Sequence, residues 1–271
     1  MPEITLPGGV ATDAALLAQT EIAVRAAGSI LLDRFGDIVA YDSRDDLGRA
    51  LAANDDAVLD VLRPQLEALR PGARWVEEEL AAGALPDGEW WVVDPVEGNI
   101  NHLHALTDWA VTATLVRDNQ PVLTVVHLPL TGRTYTARAG AGAHLGRRPL
   151  RVSATADLGL AVVATSQARP DEDPAVVARL GASITAMFRD ALVVRVAVPA
   201  TLHLVNVAAG RVDGFWQFAG ARADLLPGAL LVAEAGGRIS TADGRPWTPG
   251  ADSFLATGPG LHAAAVGALS R

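Results

Sequence analysis

Two acids stand three residues apart at the end of an apolar run: Trp90-Trp91-Val92-Val93 leads into Asp94-Pro95-Val96-Glu97-Gly98. A buried strand that delivers two carboxylates into a glycine-containing turn makes chemical sense if a cation binds there. Hard divalent cations such as Mg²⁺ take carboxylate and backbone carbonyl oxygens in this way. Upstream, Glu77-Glu78-Glu79 follow the short apolar pair Trp75-Val76, and downstream Asp224 stands alone at the head of an apolar helical stretch. Three separated acids or acid groups, each at the end of a regular element, suggest a metal cage for phosphoryl chemistry. Each also has a plainer reading. The glutamate run is a solvated charge run, Asp94 and Glu97 are a turn cap and a surface acid, and Asp224 is a helix N-cap favoured by the dipole.

These acids need elements to hold them. Thr12-Asp13 caps a long amphipathic helix that runs to about Phe35 and stops at Gly36, and a second helix spans Asp55 to Leu69, ahead of Pro71-Gly72. Short strands follow over Arg74 to Glu77 and Trp90 to Asp94, then three longer ones over Asp108 to Arg117, Pro121 to Leu128 and Arg133 to Arg138. Gly140 to Arg148 reads as a turn-rich link. Beyond it the rhythm changes to alternating strand and helix: strand Ala161 to Thr165, helix Pro174 to Met187, strand Leu192 to Val196, helix Pro199 to Ala209, strand Val212 to Phe218, and helix Asp224 to Ala235 ended by Gly236-Gly237. A subdomain boundary is expected near Leu150, giving residues 1–150 and 151–271.

Composition narrows the function classes. The 271 residues are enough for a substantial core. A net charge of −9, with a pI of about 5.1, disfavours a nucleic-acid partner. There is no cysteine, so neither disulfides nor thiolate chemistry contribute, and every basic side chain is an arginine. The arginine and alanine usage suggests a bacterial source. Met1-Pro2-Glu3-Ile4-Thr5 carries no basic segment before an apolar one, and Arg195, Pro199 and His203 interrupt the most apolar region. No membrane span and a cytoplasmic location are therefore expected. The six tryptophans are expected in the core.

Asp94-Pro95-Val96-Glu97-Gly98-Asn99-Ile100-Asn101-His102 resembles the first signature of the inositol monophosphatase-like family of Mg²⁺-dependent, Li⁺-sensitive phosphatases, Asp-Pro-(Ile/Leu)-Asp-Gly-Thr-x-Asn-Phe. Glu77-Glu78-Glu79 stands for that family's Gly-Glu-Glu, and Val207-Ala208-Ala209-Gly210-Arg211-Val212-Asp213-Gly214-Phe215 for its Val-Ala-x-Gly-x-x-Asp-Gly. Ala223-Asp224-Leu225-Leu226-Pro227-Gly228 with Glu234-Ala235-Gly236-Gly237 resembles its second signature, so the likeness runs roughly from Ile22 to Gly237. It implies an α/β fold with an α+β N-terminal half, built as a layered α-β-α-β-α sandwich with the metal site between the halves. By the same resemblance, Glu78, Asp94 and the Val96 carbonyl hold one Mg²⁺ or Mn²⁺, and Asp94, Glu97 and Asp224 hold a second. Asp55 would serve a weaker ion and orient the water, with Glu78 and Asn99 in the catalytic group; the match at Asp55 requires an insertion after Asp46-Leu47-Gly48-Arg49, and a simple helix cap is the alternative. Gly98, Asn99, Ile100, His102, Val198, Pro199 and Gln217 fall on substrate positions, and family members are often homodimers.

The chain also departs from that pattern. Glu97 is one methylene longer than the usual aspartate, and Mg²⁺ tolerates little distortion of its octahedron. Asn99 replaces a threonine that helps activate water; an amide cannot relay a proton as a hydroxyl does. Val198-Pro199 replaces a Gly-Ser, Ala223 a tryptophan, Gln217 a glutamate and His102 a phenylalanine, while Tyr41 lies near the place of an expected lysine. Two readings follow. One is a Mg²⁺-dependent phosphomonoesterase for a small phosphorylated metabolite. The other is a non-hydrolytic or altered member that binds metal and a phosphorylated ligand, or expels phosphate without an activated water. His102 and His104 are either hydrogen-bonded structural histidines or, for His102, a contact to substrate phosphate.

Overall fold

The computed structural model describes residues 12–36, 38, 40–77, 83–166, 172–218 and 222–271. Helix α1 (Asp13–Asp33) starts at Thr12, whose hydroxyl accepts the Ala15 N–H. Helix α2 is Arg44–Leu69, a full eleven residues longer at its start than the patterning suggested. The cause is a reciprocal cap. Ser43 Oγ accepts the Asp46 N–H at 3.1 Å and donates to the Asp46 carboxylate at 2.8 Å, which satisfies a donor that the helix leaves open. Asp46-Leu47-Gly48-Arg49 is therefore helical, and Asp55 lies in mid-helix rather than capping it.

Strands β1 (Arg74–Trp75), β2 (Glu89–Glu97), β3 (Ala110–Arg117), β4 (Gln120–Leu128), β5 (Arg133–Arg138), β6 (Gly142–Leu145) and β7 (Arg148–Pro149) form one sheet in that order. A short helix, α3 (Asn99–Leu103), follows β2. Only β1 and β2 pair in parallel; the remaining neighbours are antiparallel. The segment expected to be a turn-rich link forms β6 and β7 instead. Its glycines 140, 142 and 146 take positive φ and turn the chain tightly enough for short strands to pair.

The second sheet joins β8 (Val162–Thr165), β9 (Val193–Val196), β10 (Gly214–Phe218), β11 (Arg238–Ser240) and β12 (Ser253–Thr257) in the order β11-β12-β10-β8-β9. Helices α4 (Pro174–Asp190), α5 (Ala200–Ala208), α6 (Arg222–Glu234) and α7 (His262–Leu269) complete the chain. Elements β11, β12 and α7 all follow Gly237, beyond the segments whose pattern is legible in the sequence.

The layers follow from the packing. Helices α1 and α2 cover one face of the first sheet through Leu16, Val24, Leu31, Val58 and Leu62. Helices α5 and α6 fill the space between the sheets, where Leu204, Val205, Leu231 and Val232 meet Val126, Tyr135, Phe215 and Phe254. Helices α4 and α7 cover the outer face of the second sheet. This is an α-β-α-β-α sandwich. Among the described residues α1 alone is long and apolar enough to cross a membrane; here its apolar side packs on β3, β4 and β5. Of the six tryptophans, Trp91, Trp109 and Trp216 are fully buried. Trp75, Trp90 and Trp247 are only half-buried, and arginine guanidinium groups lie over the first two. An amphipathic ring satisfies a strand pattern while keeping one side wet.

Helices α5 and α6 pack tightly at Gly228. A methyl group there would sit 2.3 Å from Leu204 Cβ, so the two helices would have to separate. Gly228→Ala is expected to destabilise the fold by about 1–3 kcal/mol, read as a lower urea midpoint at unchanged slope. An unchanged midpoint would show that the central layer yields easily.

Candidate metal centre

In an unbroken strand residues 94 and 97 would face opposite sides of the sheet. Here they do not. Asp94 is opposite Thr112 on β3 and Glu97 opposite Ala110, so three steps along β2 match two along β3. This β-bulge adds one residue and turns both carboxylates to one side. Two bonds fix the bulge: the Val96 N–H donates to Asp94 Oδ1 at 2.9 Å, and the Asp94 N–H to Thr112 Oγ1 at 3.3 Å. From the central layer, the first turn of α6 brings Asp224. Ligand oxygens of Asp94, Glu97 and Asp224 all lie within 4.8 Å of one another. Asp94 is 5% and Glu97 2% exposed, and Asp224 is half-buried.

One buried residue outside the expected site links the Glu97 carboxylate to the backbone of Asp224. The Thr201 hydroxyl in the first turn of α5 lies 2.8 Å from Glu97 Oε2 and 2.7 Å from the Asp224 carbonyl oxygen, so one proton serves two acceptors. Its only sequence signal was a hydroxyl just after the proline that opens a helix. Buried like charges at this spacing raise one another's energy, and an all-carboxylate donor set fits a hard, oxygen-seeking cation. Val96 is the buried residue inside the bulge. Glu78 lies outside the described residues; its neighbour Glu77 faces solvent and pairs with Arg63 at 2.8 Å.

Beside the acids, α2 approaches the turn after β2. The Asn99 amide donates to Asp55 Oδ1 at 2.8 Å and to the Leu51 carbonyl at 3.0 Å. The structure thus brings Asp55 and residue 99 into direct contact, despite the mismatch in sequence spacing. Burial pushes the Asp55 carboxyl up to about 6, against the Asn99 bond that favours its charged form, with Asp56 adding a smaller upward push.

The remaining expected contacts are placed as follows. Gly98 has φ +84°, and a Cβ there would approach the Asp108 carbonyl to 2.7 Å and the Pro199 ring to 3.1 Å. Val198 and Pro199 hold this turn from the second half: the Val198 carbonyl accepts from Asn101 Nδ2 at 3.0 Å, and the peptide between them is cis. Ile100 is half-buried in α3 and Gln217 half-buried on β10. His102 must be corrected as a phosphate contact. It is 2% exposed, its Nε2 bonds the Leu31 carbonyl at 3.0 Å, and its ring packs against Phe35 and Trp109. It is a structural histidine joining α3 to α1. His104 bonds the Tyr41 hydroxyl at the surface.

The family model described as the inositol monophosphatase family matches residues 13–271 of the chain. The inositol-1-monophosphatase of Mesorhizobium japonicum is 31% identical over 237 residues, covering 87% of this chain and 88% of the relative. Nus factor SuhB of Pasteurella multocida is 30% identical over 233 residues, 82% of this chain and 85% of its own length. Among solved structures, the inositol monophosphatase from Anabaena superposes with a TM-score of 0.79 at 26% identity, over 95% of both chains.

In the metal-free protein the Asp55 carboxyl carbon is expected to titrate with a midpoint near 6 by NMR. Asn99→Ala removes the donor that favours the carboxylate, so the midpoint is expected to rise. A midpoint at the ordinary aspartate value would contradict the half-buried placement of Asp55.

Proposed function

The chain belongs to the inositol monophosphatase family, a family of metal-dependent phosphatases, and from that premise we propose that it is a Mg²⁺-dependent phosphomonoesterase for a small phosphorylated metabolite. The observation that carries this reading is the convergence of three carboxylates, two of them buried, within 4.8 Å. When bound, divalent ions supply neutralisation of phosphate charge and acidification of water. The chain's own groups do the rest. Asp94, Glu97 and Asp224, with Glu78 and the Val96 carbonyl, would hold the ions. The first-turn N–H groups of α3, at Asn99 and Ile100, have no acceptor within that helix and suit phosphate oxygens beside Gly98. Val198, Pro199 and Gln217 would meet the alcohol portion of the ester.

Water activation falls to Asp55. Both N–H groups of Asn99 are already committed, to Asp55 and to Leu51, so the amide has no proton to pass on. Asp55 accepts one of them on Oδ1, and no hydrogen bond to its Oδ2 occurs among the described residues. That oxygen is the base we assign to the attacking water. The competing reading, a member that binds metal and a phosphorylated ligand without hydrolysis, draws on Asn99 in place of a hydroxyl.

Phosphate release over a panel of phosphomonoesters, with Mg²⁺, with Mn²⁺ and with chelator, is expected to show turnover that chelator abolishes and that Asp94→Asn reduces at least about 100-fold. Silence across the panel, with Mg²⁺ still binding by calorimetry, would favour the non-hydrolytic reading. The pair Glu97→Asp with Asn99→Thr separates the two further: it lowers an existing activity if the residues are tuned to their substrate, and raises one from nothing if the protein is not a hydrolase.

We also propose a homodimer, supported by large apolar side chains left exposed on and beside α4 and β9, among them Phe188, Leu192, Val193 and Val196. Sedimentation velocity at micromolar concentration is expected to give a dimer, and a monomer would overturn this.

A further inference from the structure

The Asn99 amide is held in its orientation by a mostly buried chain of hydrogen bonds. Its links are short and its members mostly hidden: Asn54 is 3% and His102 2% exposed. Arg34 Nε donates to Asn54 Oδ1 at 2.8 Å. Asn54 Nδ2 lies 2.9 Å from Asn99 Oδ1 and 3.2 Å from His102 Nδ1. His102 Nε2 meets the Leu31 carbonyl at 3.0 Å, and Asn99 Nδ2 reaches the Leu51 carbonyl and Asp55.

The ends of this chain have only one possible polarity. A guanidinium N–H can only donate, and a backbone carbonyl can only accept. Leu31 therefore requires the proton of His102 to be on Nε2, which leaves Nδ1 as an acceptor. Arg34 requires the oxygen of Asn54 to face it, which leaves the Asn54 NH₂ facing His102 Nδ1 and Asn99. The Asn99 oxygen must then point at Asn54, and its NH₂ at Leu51 and Asp55. Every internal choice is fixed by the termini, and turning over either amide would set donor against donor and acceptor against acceptor at a buried site.

We propose that Asn54 is a positioning residue for water activation: oriented by Arg34 and His102, it locks the Asn99 amide so that its N–H, never its carbonyl, faces the Asp55 carboxylate. This rests on Asp55 being the base. A donor on Oδ1 holds the carboxylate in a single rotation and leaves Oδ2 for the water. A turned Asn99 would present its carbonyl oxygen to Asp55 and repel the carboxylate from that position. The amide at residue 99 thus works only with a donor at residue 54, whereas a hydroxyl there could adjust its own proton.

N54D tests this because it preserves shape and removes the donor. With p-nitrophenyl phosphate and saturating Mg²⁺, N54D is expected to lower kcat about 10- to 100-fold at an unchanged KM. In the N99T background, where no amide needs orienting, the same change is expected to cost under about threefold. Equal losses in the two backgrounds, or none in the wild type, would overturn the proposal. A second readout does not need turnover. In ¹⁵N spectra the wild-type His102 ring is expected to be neutral with Nδ1 unprotonated, and the Asn99 side-chain amide protons to exchange slowly. A ring protonated on Nδ1, or Asn99 protons exchanging like those of a surface asparagine, would also overturn it. Absence of hydrolysis in the wild type with both spectral signatures present would instead sink the phosphatase reading and leave the amide lock intact.

Discussion

Mutual repulsion among Asp94, Glu97 and Asp224 is the constraint on which the rest of the structure depends. Three carboxylates within 4.8 Å, two of them almost fully buried, cannot be a product of local preference. Each would gain by moving apart into water. Rigid elements hold them together: a bulged strand of the first sheet for two, a helix of the middle layer for the third. The Thr201 hydroxyl, on a third element, bonds the Glu97 carboxylate and the Asp224 backbone carbonyl. Packing energy from the cores on either side keeps the acids in place, and a hard cation bound among them would offset their repulsion.

The layer of α1 and α2 contributes differently. It carries no member of the acidic cluster, but it supplies Asp55 from mid-helix and sets Arg34 and Asn54 against α3, where they fix the polarity of the Asn99 amide. The metal centre and this layer meet in one short stretch, Glu97-Gly98-Asn99. Gly98 makes that meeting possible. Its positive φ and missing Cβ let the Asp108 carbonyl and the Pro199 ring close over the turn. Two departures from the family pattern, Glu97 and Asn99, fall here, and the second fits its surroundings: an amide at 99 is accompanied by an amide at 54 and a histidine, rather than a phenylalanine, at 102.

The acids of the centre were legible because chemistry and pattern coincided: an apolar strand ends in two acids three residues apart, and Asp224 stands in a segment that resembles the family's second signature. The bulge was not legible, since Pro95-Val96 reads equally well as regular strand, and only pairing with β3 shows the extra residue. Asp55 was hard to place because the start of α2 is set by the cap at Ser43 and Asp46 and not by apolar periodicity, which begins later. Asn54 gave no signal, and Thr201 only that of a hydroxyl after a helix-opening proline, because small polar residues in helices are common and their role depends on what they face across the fold. His102 was read from its neighbours along the chain, while its environment comes from Leu31 and Phe35, far away in sequence.

The placement of the acids on two different layers has a mechanical consequence. Asp94 and Glu97 belong to the first sheet, while Asp224 belongs to the helical layer shared with the second. An ion bound among them is a reversible cross-link between distant parts of the chain. It would bind the folded protein far better than the unfolded one, adding about 2.7 kcal/mol when its concentration is a hundred times its dissociation constant. Divalent ion supply would then govern how firmly the two halves hold together, so that the protein's lifetime, and not only its chemistry, would follow the ion content of its surroundings.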